Sequence, residues 1–315
     1  MSEPTSRRAA REARAARSKS SSMPQPVVAP AEAAAGRPGA ESTNPTPRAG
    51  RNLYAAIGVG VLLGAIVILS LFLVKEIFVA VAMAASVIGC FEVVRAMSNG
   101  RIHPPLIPTL TAAAVVPLIA YLWGAPALAF SAIVAVLVVL VWRSFGDEEG
   151  LRRDVAGGAM VVLYLPALVG FAMLLLHNSD GPGRIVVFVL VTICSDIGGY
   201  AVGVVAGRHP MAPSVSPKKS WEGFAGSFTA CVIGGALSVS LVLDGRWWVG
   251  AILGALVVVA ATVGDLCESM IKRDLGIKDM SNLIPGHGGL MDRLDSLLLA
   301  VPVVWAVLTP FVAVK

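Results

Sequence analysis

The chain has 315 residues, a mean hydropathy of +0.77 and 14% charged residues, far below the roughly 25% of soluble domains, which excludes an ordinary water-soluble protein and leaves an integral membrane one. Its formal net charge of +5 does not point to nucleic acid, because most of the excess lies in an N-terminal tail and in loops between apolar runs, where it suits a membrane surface. Four scattered cysteines, Cys90, Cys194, Cys231 and Cys267, form no zinc-like spacing and read as packing residues.

Residues 1–51 are rich in Ala, Ser, Pro and Arg and contain no apolar run long enough for a signal peptide, so they read as a disordered basic cytoplasmic tail. From 52 to 315 the chain reads as one polytopic transmembrane domain. Its apolar runs are each near the ~20 residues that span a bilayer, and they predict about nine helices at approximately 53–74, 77–97, 106–123, 125–142, 155–176, 185–206, 222–243, 247–266 and 296–314. The runs are continuous rather than alternating, so the expected fold is all-α, without strands. With the N-terminus inside, 21 of the 25 Lys and Arg fall on the inner side, leaving Lys75, Arg184, Arg246 and Lys315 outside. The C-terminus is then expected outside. Glycines at four-residue spacing (Gly60 and Gly64; Gly199, Gly203 and Gly207; Gly250 and Gly254) predict close helix contacts, within one chain or between subunits.

Acids at membrane depth are costly and by default functional, which singles out Glu92, Asp196 and Asp265. Glu92, one turn before Arg95, reads as a structural salt bridge. Asp196 sits in Cys-Ser-Asp-Ile-Gly-Gly-Tyr. Asp265 ends the eighth predicted span, and on a continuing helix it shares a face with Glu268, Ser269 and Lys272. Before the seventh span, Ser216-Pro-Lys-Lys-Ser-Trp-Glu-Gly223 reads as a helix start at Pro217 with Lys218 and Lys219 aimed at an anion such as a triphosphate; the plainer reading is a positive-inside loop.

The densest polar stretch runs from Ser269 to Asp295 and sets Lys272, Arg273, Lys278 and Arg293 among Asp274, Asp279, Asp292 and Asp295, with His287 before Gly288 and Gly289. Cations suit phosphate oxygens, carboxylates suit a hard divalent ion, and glycines admit a close anion, so the mixture predicts a metal-assisted phosphate site. On this reading Asp265 and Asp292 are metal ligands, the alternative being salt bridges to Lys272 and Arg293. His287 suits a phosphate contact better than a general base, since a phosphomonoester with a second pKa of about 6 is already largely ionised at neutral pH.

Ser269, Lys272, Arg273, Lys278, Asp279, His287, Gly288, Gly289, Asp292, Arg293 and Asp295 follow the spacing S-x-x-K-R-x-x-x-x-K-D, then H-G-G-x-x-D-R-x-D. This run resembles the signature of the phosphatidate cytidylyltransferases, or CDP-diacylglycerol synthases. Ser216–Gly223, which includes Glu222, resembles the family's S-P-K-K-[ST]-x-E-G element, and Asp196–Tyr200 resembles D-x-G-A-Y with Gly199 in the place of Ala. The resemblance covers about a third of the chain. It implies transfer of CMP from CTP to phosphatidic acid at the cytoplasmic face of the cell inner membrane, giving CDP-diacylglycerol and pyrophosphate. It also implies Mg²⁺ on Asp265 and Asp292, with Lys218, Lys219, Lys272 and Arg273 around the phosphates, and it is compatible with a homodimer. Asp196 joins the catalytic set, and Glu222, Ser269, Lys278, Asp279, His287, Gly288, Gly289, Arg293 and Asp295 the binding set. Two other readings compete: a CTP-dependent polyprenol kinase, whose alcohol acceptor needs a base, and a transporter, for which charges would spread over two halves instead of clustering late.

Overall fold

The computed structural model describes residues 64–281, 283 and 288–314. The predicted tail, the start of the first predicted span, His287 and Lys315 lie outside the described residues. Among the described residues ten α-helices follow in order: α1 Gly64–Leu73, α2 Lys75–Met97, α3 Leu106–Trp123, α4 Ala125–Ser144, α5 Leu151–Tyr164, α6 Pro166–His177, α7 Gly181–Ala206, α8 Trp221–Val242, α9 Trp247–Asp274 and α10 Met291–Phe311. Among the described residues, eight helical segments are long and apolar enough to cross a membrane, and they match the second to ninth predicted spans. Exposed Phe130, Ile133, Leu137 and Val141 on α4 are the surface a bilayer would solvate.

The fifth predicted span is a bent pair. Leu165 separates α5 from α6 at φ −112° and ψ −69°, and Pro166 opens α6. Proline has no N–H and its ring crowds the preceding turn, so it fits the first helical position better than the middle of one straight helix.

Helices α2 to α6 pack mainly around α3, whereas α8 lies between α7 and α9, and α9 packs on α10; α6 joins the two groups through α7 and α10. Apolar burial drives little association inside lipid, so close backbone approach matters more there. A Cβ on Gly223 of α8 would come within 3.1 Å of the Gly199 carbonyl oxygen and 3.4 Å of Gly203 Cα, and one on Gly235 within 2.2 Å of the Gly250 carbonyl oxygen. Two of the predicted glycine series, on α7 and α9, therefore serve contacts with α8 inside one chain.

One expectation fails locally. The loop between α7 and α8 is a small antiparallel hairpin, β1 Pro210–Ala212 and β2 Ser216–Ser220, with Pro210 opposite Ser220 and Ala212 opposite Ser216. Pro217 lies inside β2 and does not start a helix. The cap is Ser220, whose Oγ accepts from Gly223 N at 3.1 Å, and α8 begins at Trp221.

At the same end of the bundle, α9 continues past the predicted 266 to Asp274, so Asp265, Glu268 and Lys272 do share one helix. It ends on Gly276 at φ +67°, a left-handed position that turns the chain back. Met280 and Met291 then enter a small buried cluster with Cys90, Val93 and Met97 of α2, which anchors the segment between α9 and α10.

Candidate active site

The hairpin and the glycine-packed ends of α7, α8 and α9 surround a cavity of about 350 Å³ lined by Asp196, Tyr200, Lys218, Lys219, Ser227 and Asp265 among others. Lys219 reaches across from β2 to form an ion pair with Asp265 of α9. Both side chains keep over a quarter of their exposure, 28% and 27%, so the pair is solvated and open to exchange with an incoming anion. Glu222, on the first turn of α8, points at the hairpin instead. Its Oε2 accepts from Arg208 N at 3.1 Å and His209 N at 3.2 Å, and its Oε1 lies 2.5 Å from His209 Nδ1. Glu222 thus holds the entry into β1 and places Lys218 and Lys219 indirectly.

A second cluster lies where α9 meets α10. The Lys272 ammonium lies 3.1 Å from Glu268 Oε2, one helical turn back, and donates to Asp292 Oδ1 at 2.9 Å. Glu268 is fully buried, and its carboxyl group lies against that of Asp295 on α10. Asp292 is nearly saturated: its Oδ2 accepts from Gly289 N at 2.7 Å and Met280 N at 3.0 Å, and its Oδ1 takes a longer 3.3 Å contact from Met280 N. Two glycines make this geometry available. Gly288 sits at φ +81°, and a Cβ on Gly289 would lie 2.9 Å from Glu92 Oε2 and 3.1 Å from Asp292 Oδ2. The glycines predicted to admit a phosphate admit two protein carboxylates.

One of those carboxylates corrects an expectation. Glu92 is 3% exposed, and among the described residues no ion pair joins it to Arg95. It accepts instead from Ser281 Oγ at 2.5 Å, Leu290 N at 3.0 Å and Met291 N at 2.8 Å.

The chain matches the family model described as the cytidylyltransferase family over residues 54–311. It belongs to the cytidylyltransferase family. It is 38% identical over 298 residues to the phosphatidate cytidylyltransferase of Mycobacterium bovis, covering 90% of this chain and 96% of that one. The Mycobacterium leprae phosphatidate cytidylyltransferase is 38% identical over 285 residues, 85% of this chain and 91% of that one. The enzyme of the same name from Pseudomonas aeruginosa is 40% identical over 184 residues, 58% of this chain and 67% of that one.

The family match spans the whole described bundle, so the hairpin, the cavity and the α9–α10 cluster belong to the cytidylyltransferase domain itself. Within it, Asp196, Lys218, Lys219 and Asp265 share the cavity, whereas Lys272 and Asp292 meet in the neighbouring cluster. Half-buried Ser269 and Asp295 lie on the same two helices, and Asp295 Oδ1 accepts from Ser296 N at 2.7 Å. Arg273, Lys278, Asp279 and Arg293 are exposed and lie outside the cavity lining. Asp265 and Asp292 both have lysine partners, Lys219 for Asp265 and Lys272 for Asp292, so Lys272 does bridge one of the two acids, as the salt-bridge alternative expects. Tyr200, Phe224, Ser227 and Thr262 also line the cavity. Tyr200 closes the Asp196–Tyr200 element already noted in the sequence, whereas Phe224 and Ser227 are marked only by the glycines before them and Thr262 by nothing.

Proposed function

We propose that the chain is a phosphatidate cytidylyltransferase, transferring CMP from CTP to phosphatidic acid and releasing pyrophosphate. The observation that carries the reading is the cavity in which Lys218 and Lys219 of the hairpin face Asp196 and Asp265 of the membrane helices. A polar, cation-bearing pocket at the inner end of a helix bundle lets a water-soluble triphosphate and a membrane-held phosphate meet.

The triphosphate enters that cavity, and Lys218 and Lys219 take its phosphate oxygens. Bringing two polyanions together is the main obstacle, so positioned cations contribute more than a proton acceptor. A phosphate oxygen of phosphatidic acid attacks the α-phosphorus of CTP; the bond to the β-phosphate bridging oxygen breaks, and that oxygen leaves with pyrophosphate. Lys272 is held between Glu268 and Asp292 and lends its charge along the lipid side. No base is required when the attacking phosphate is already ionised.

Mg²⁺ is bound typically by one or two carboxylates together with phosphate oxygens and water. Asp265 fits such a role because it opens on the cavity with one solvated partner, whereas both oxygens of Asp292 are engaged, so it would join the ion only if Lys272 gave up Oδ1. When bound, the ion would offset charge on the transferring phosphate. In this reading the site faces the cytoplasm in the inner membrane, with the N-terminus inside and the C-terminus outside, supported by the 21 inner-side cations. Arg184 Nη2 donates to Val312 O at 2.9 Å, so the start of α7 and the end of α10 share the opposite end of the bundle from the hairpin.

The reading is tested with purified, detergent-solubilised protein, CTP, phosphatidic acid and Mg²⁺. A CDP-lipid and pyrophosphate in equal amounts are expected. Phosphorylation of a polyprenol with release of CDP would favour the kinase alternative.

A further inference from the structure

Glu92 lies about 190 residues before the segment it touches, in the part of the chain that carries none of the three polar elements. A buried carboxylate is costly unless its oxygens are satisfied, and this one is satisfied entirely by the loop between α9 and α10. Ser281 enters that loop, and Leu290 and Met291 leave it. One carboxylate on α2 therefore fastens both sides.

The exit contact does more than fill a lone pair. Helix α10 begins after Leu290, and its own N-cap offers no side-chain hydrogen bond. The first amides of a helix lack intrahelical acceptors and carry the positive end of its dipole. Glu92 supplies the missing acceptor to Leu290 N and Met291 N from another helix. The next residue on α10 is Asp292, whose carboxylate holds Gly289 and Met280 from the other side. Gly289 lies between the two acids, within 2.9 Å of one and 3.1 Å of the other at its Cβ position.

We propose that Glu92 is a positioning residue for the transfer reaction, capping α10 and tying Ser281 to Leu290 and Met291 so that Asp292, Arg293 and Asp295 keep their orientation. It acts through the loop and touches neither substrate. The transfer readout rests on the cytidylyltransferase reading above; the loop readout does not.

The test uses the full chain carrying Glu92→Gln, Ser281→Ala, or both. Gln keeps the size and one acceptor oxygen, but its amide group must face either Met291 N–H or the Ser281 and Leu290 donors. Because misplacement of a reacting group by about 1 Å costs on the order of a hundredfold, kcat should fall by roughly that factor, with KM for CTP within about threefold. Amide exchange over 288–291 should accelerate while α7 and α8 keep the parent's protection. The double variant should be little worse than Glu92→Gln alone, since Ser281 acts through the same carboxylate. A Glu92→Gln protein with kcat within about twofold of the parent and unchanged loop exchange overturns the proposal. So does exchange that rises through every helix while the folded fraction keeps full activity, which would make Glu92 a general stability residue. If Glu92→Gln does not fold, Ser281→Ala decides: the same local exchange with a smaller loss of kcat supports the proposal, and parent-like behaviour in both refutes it. Local exchange in the variant with no CDP-lipid made by the parent would leave the loop role standing and sink the transferase reading instead.

Discussion

Asp265 and Asp292 are both candidate metal ligands, yet the structure gives them opposite mechanical roles, and substitution by Asn separates them. The Asp292 side chain is 7% exposed and accepts from Lys272, Gly289 N and Met280 N. An Asn there must turn its amide group either toward the two backbone N–H groups or toward the ammonium. Either orientation sets donor against donor, and breaking such a buried pair costs about 3–5 kcal/mol. At roughly 2–4 °C per kcal/mol for a chain of this size, Tm should fall by about 6–20 °C. Asp265 has one partner, Lys219, and both are more than a quarter exposed, so solvent screening leaves about 0–1 kcal/mol and a shift of at most about 4 °C. The assay is thermal unfolding in detergent followed by a thiol-reactive dye, since Cys90 and Cys231 are free and buried, with CDP-lipid formation measured on the same samples across Mg²⁺ concentrations. Asp265→Asn should keep the parent's Tm, lose most transfer and need more Mg²⁺; Asp292→Asn should lose Tm as well as transfer. Equal Tm for the two variants, or Asp265→Asn as the less stable one, would refute this division.

Three further outcomes are expected. Lys272→Met leaves Glu268 and Asp292 facing each other without their cation and should lower stability by about 3–5 kcal/mol; adding Glu268→Gln should restore part of the lost Tm in the same dye assay. Lys218→Ala with Lys219→Ala should raise KM for CTP more than KM for phosphatidic acid, because both lysines line the cavity, and unchanged use of CTP would return the hairpin to a purely topogenic role. A reporter fused after Lys315 should be active only on the outer side of the membrane, and activity in the cytoplasm would show that the count of crossings is off by one.

The second to ninth spans were legible because each is a continuous apolar run, a signal that needs no knowledge of neighbours. The hairpin was not. Its strands have three and five residues, too short for alternation to register, and Pro217 imitates a helix start while the cap is Ser220. Asp265 and Lys272 were legible as members of one helical face, and Lys218 and Lys219 as cations near a helix start. Their partners were not, because Lys219 with Asp265 and Lys272 with Asp292 join elements that only the packing of α8, α9 and α10 brings together. The Glu92 assignment failed for the same reason: spacing favours Arg95 three residues away, and no local pattern announces an acceptor for amides almost 200 residues later.

The arrangement of charge also bears on how a chain with so little polar character keeps acids and bases at the membrane end of its helices. Unpaired ions there would be costly, so an empty site is stable only if its charges answer one another. Lys219 answers Asp265 and Lys272 answers Glu268 and Asp292, while Glu92 is answered by backbone amides and a hydroxyl. On the proposed reading a triphosphate arriving in the cavity meets Lys218 directly and competes with Asp265 for Lys219. Such competition is weak where the pair is solvated and strong where Lys272 is enclosed, so the proposed reading takes the hairpin side as the point of nucleotide entry, with the α9–α10 side intact during exchange. Asp292 and Glu92 also serve the fold: between them they accept hydrogen bonds from Met280, Ser281, Gly289, Leu290 and Met291, which ties the end of the α9 turn to the start of α10 without any ligand.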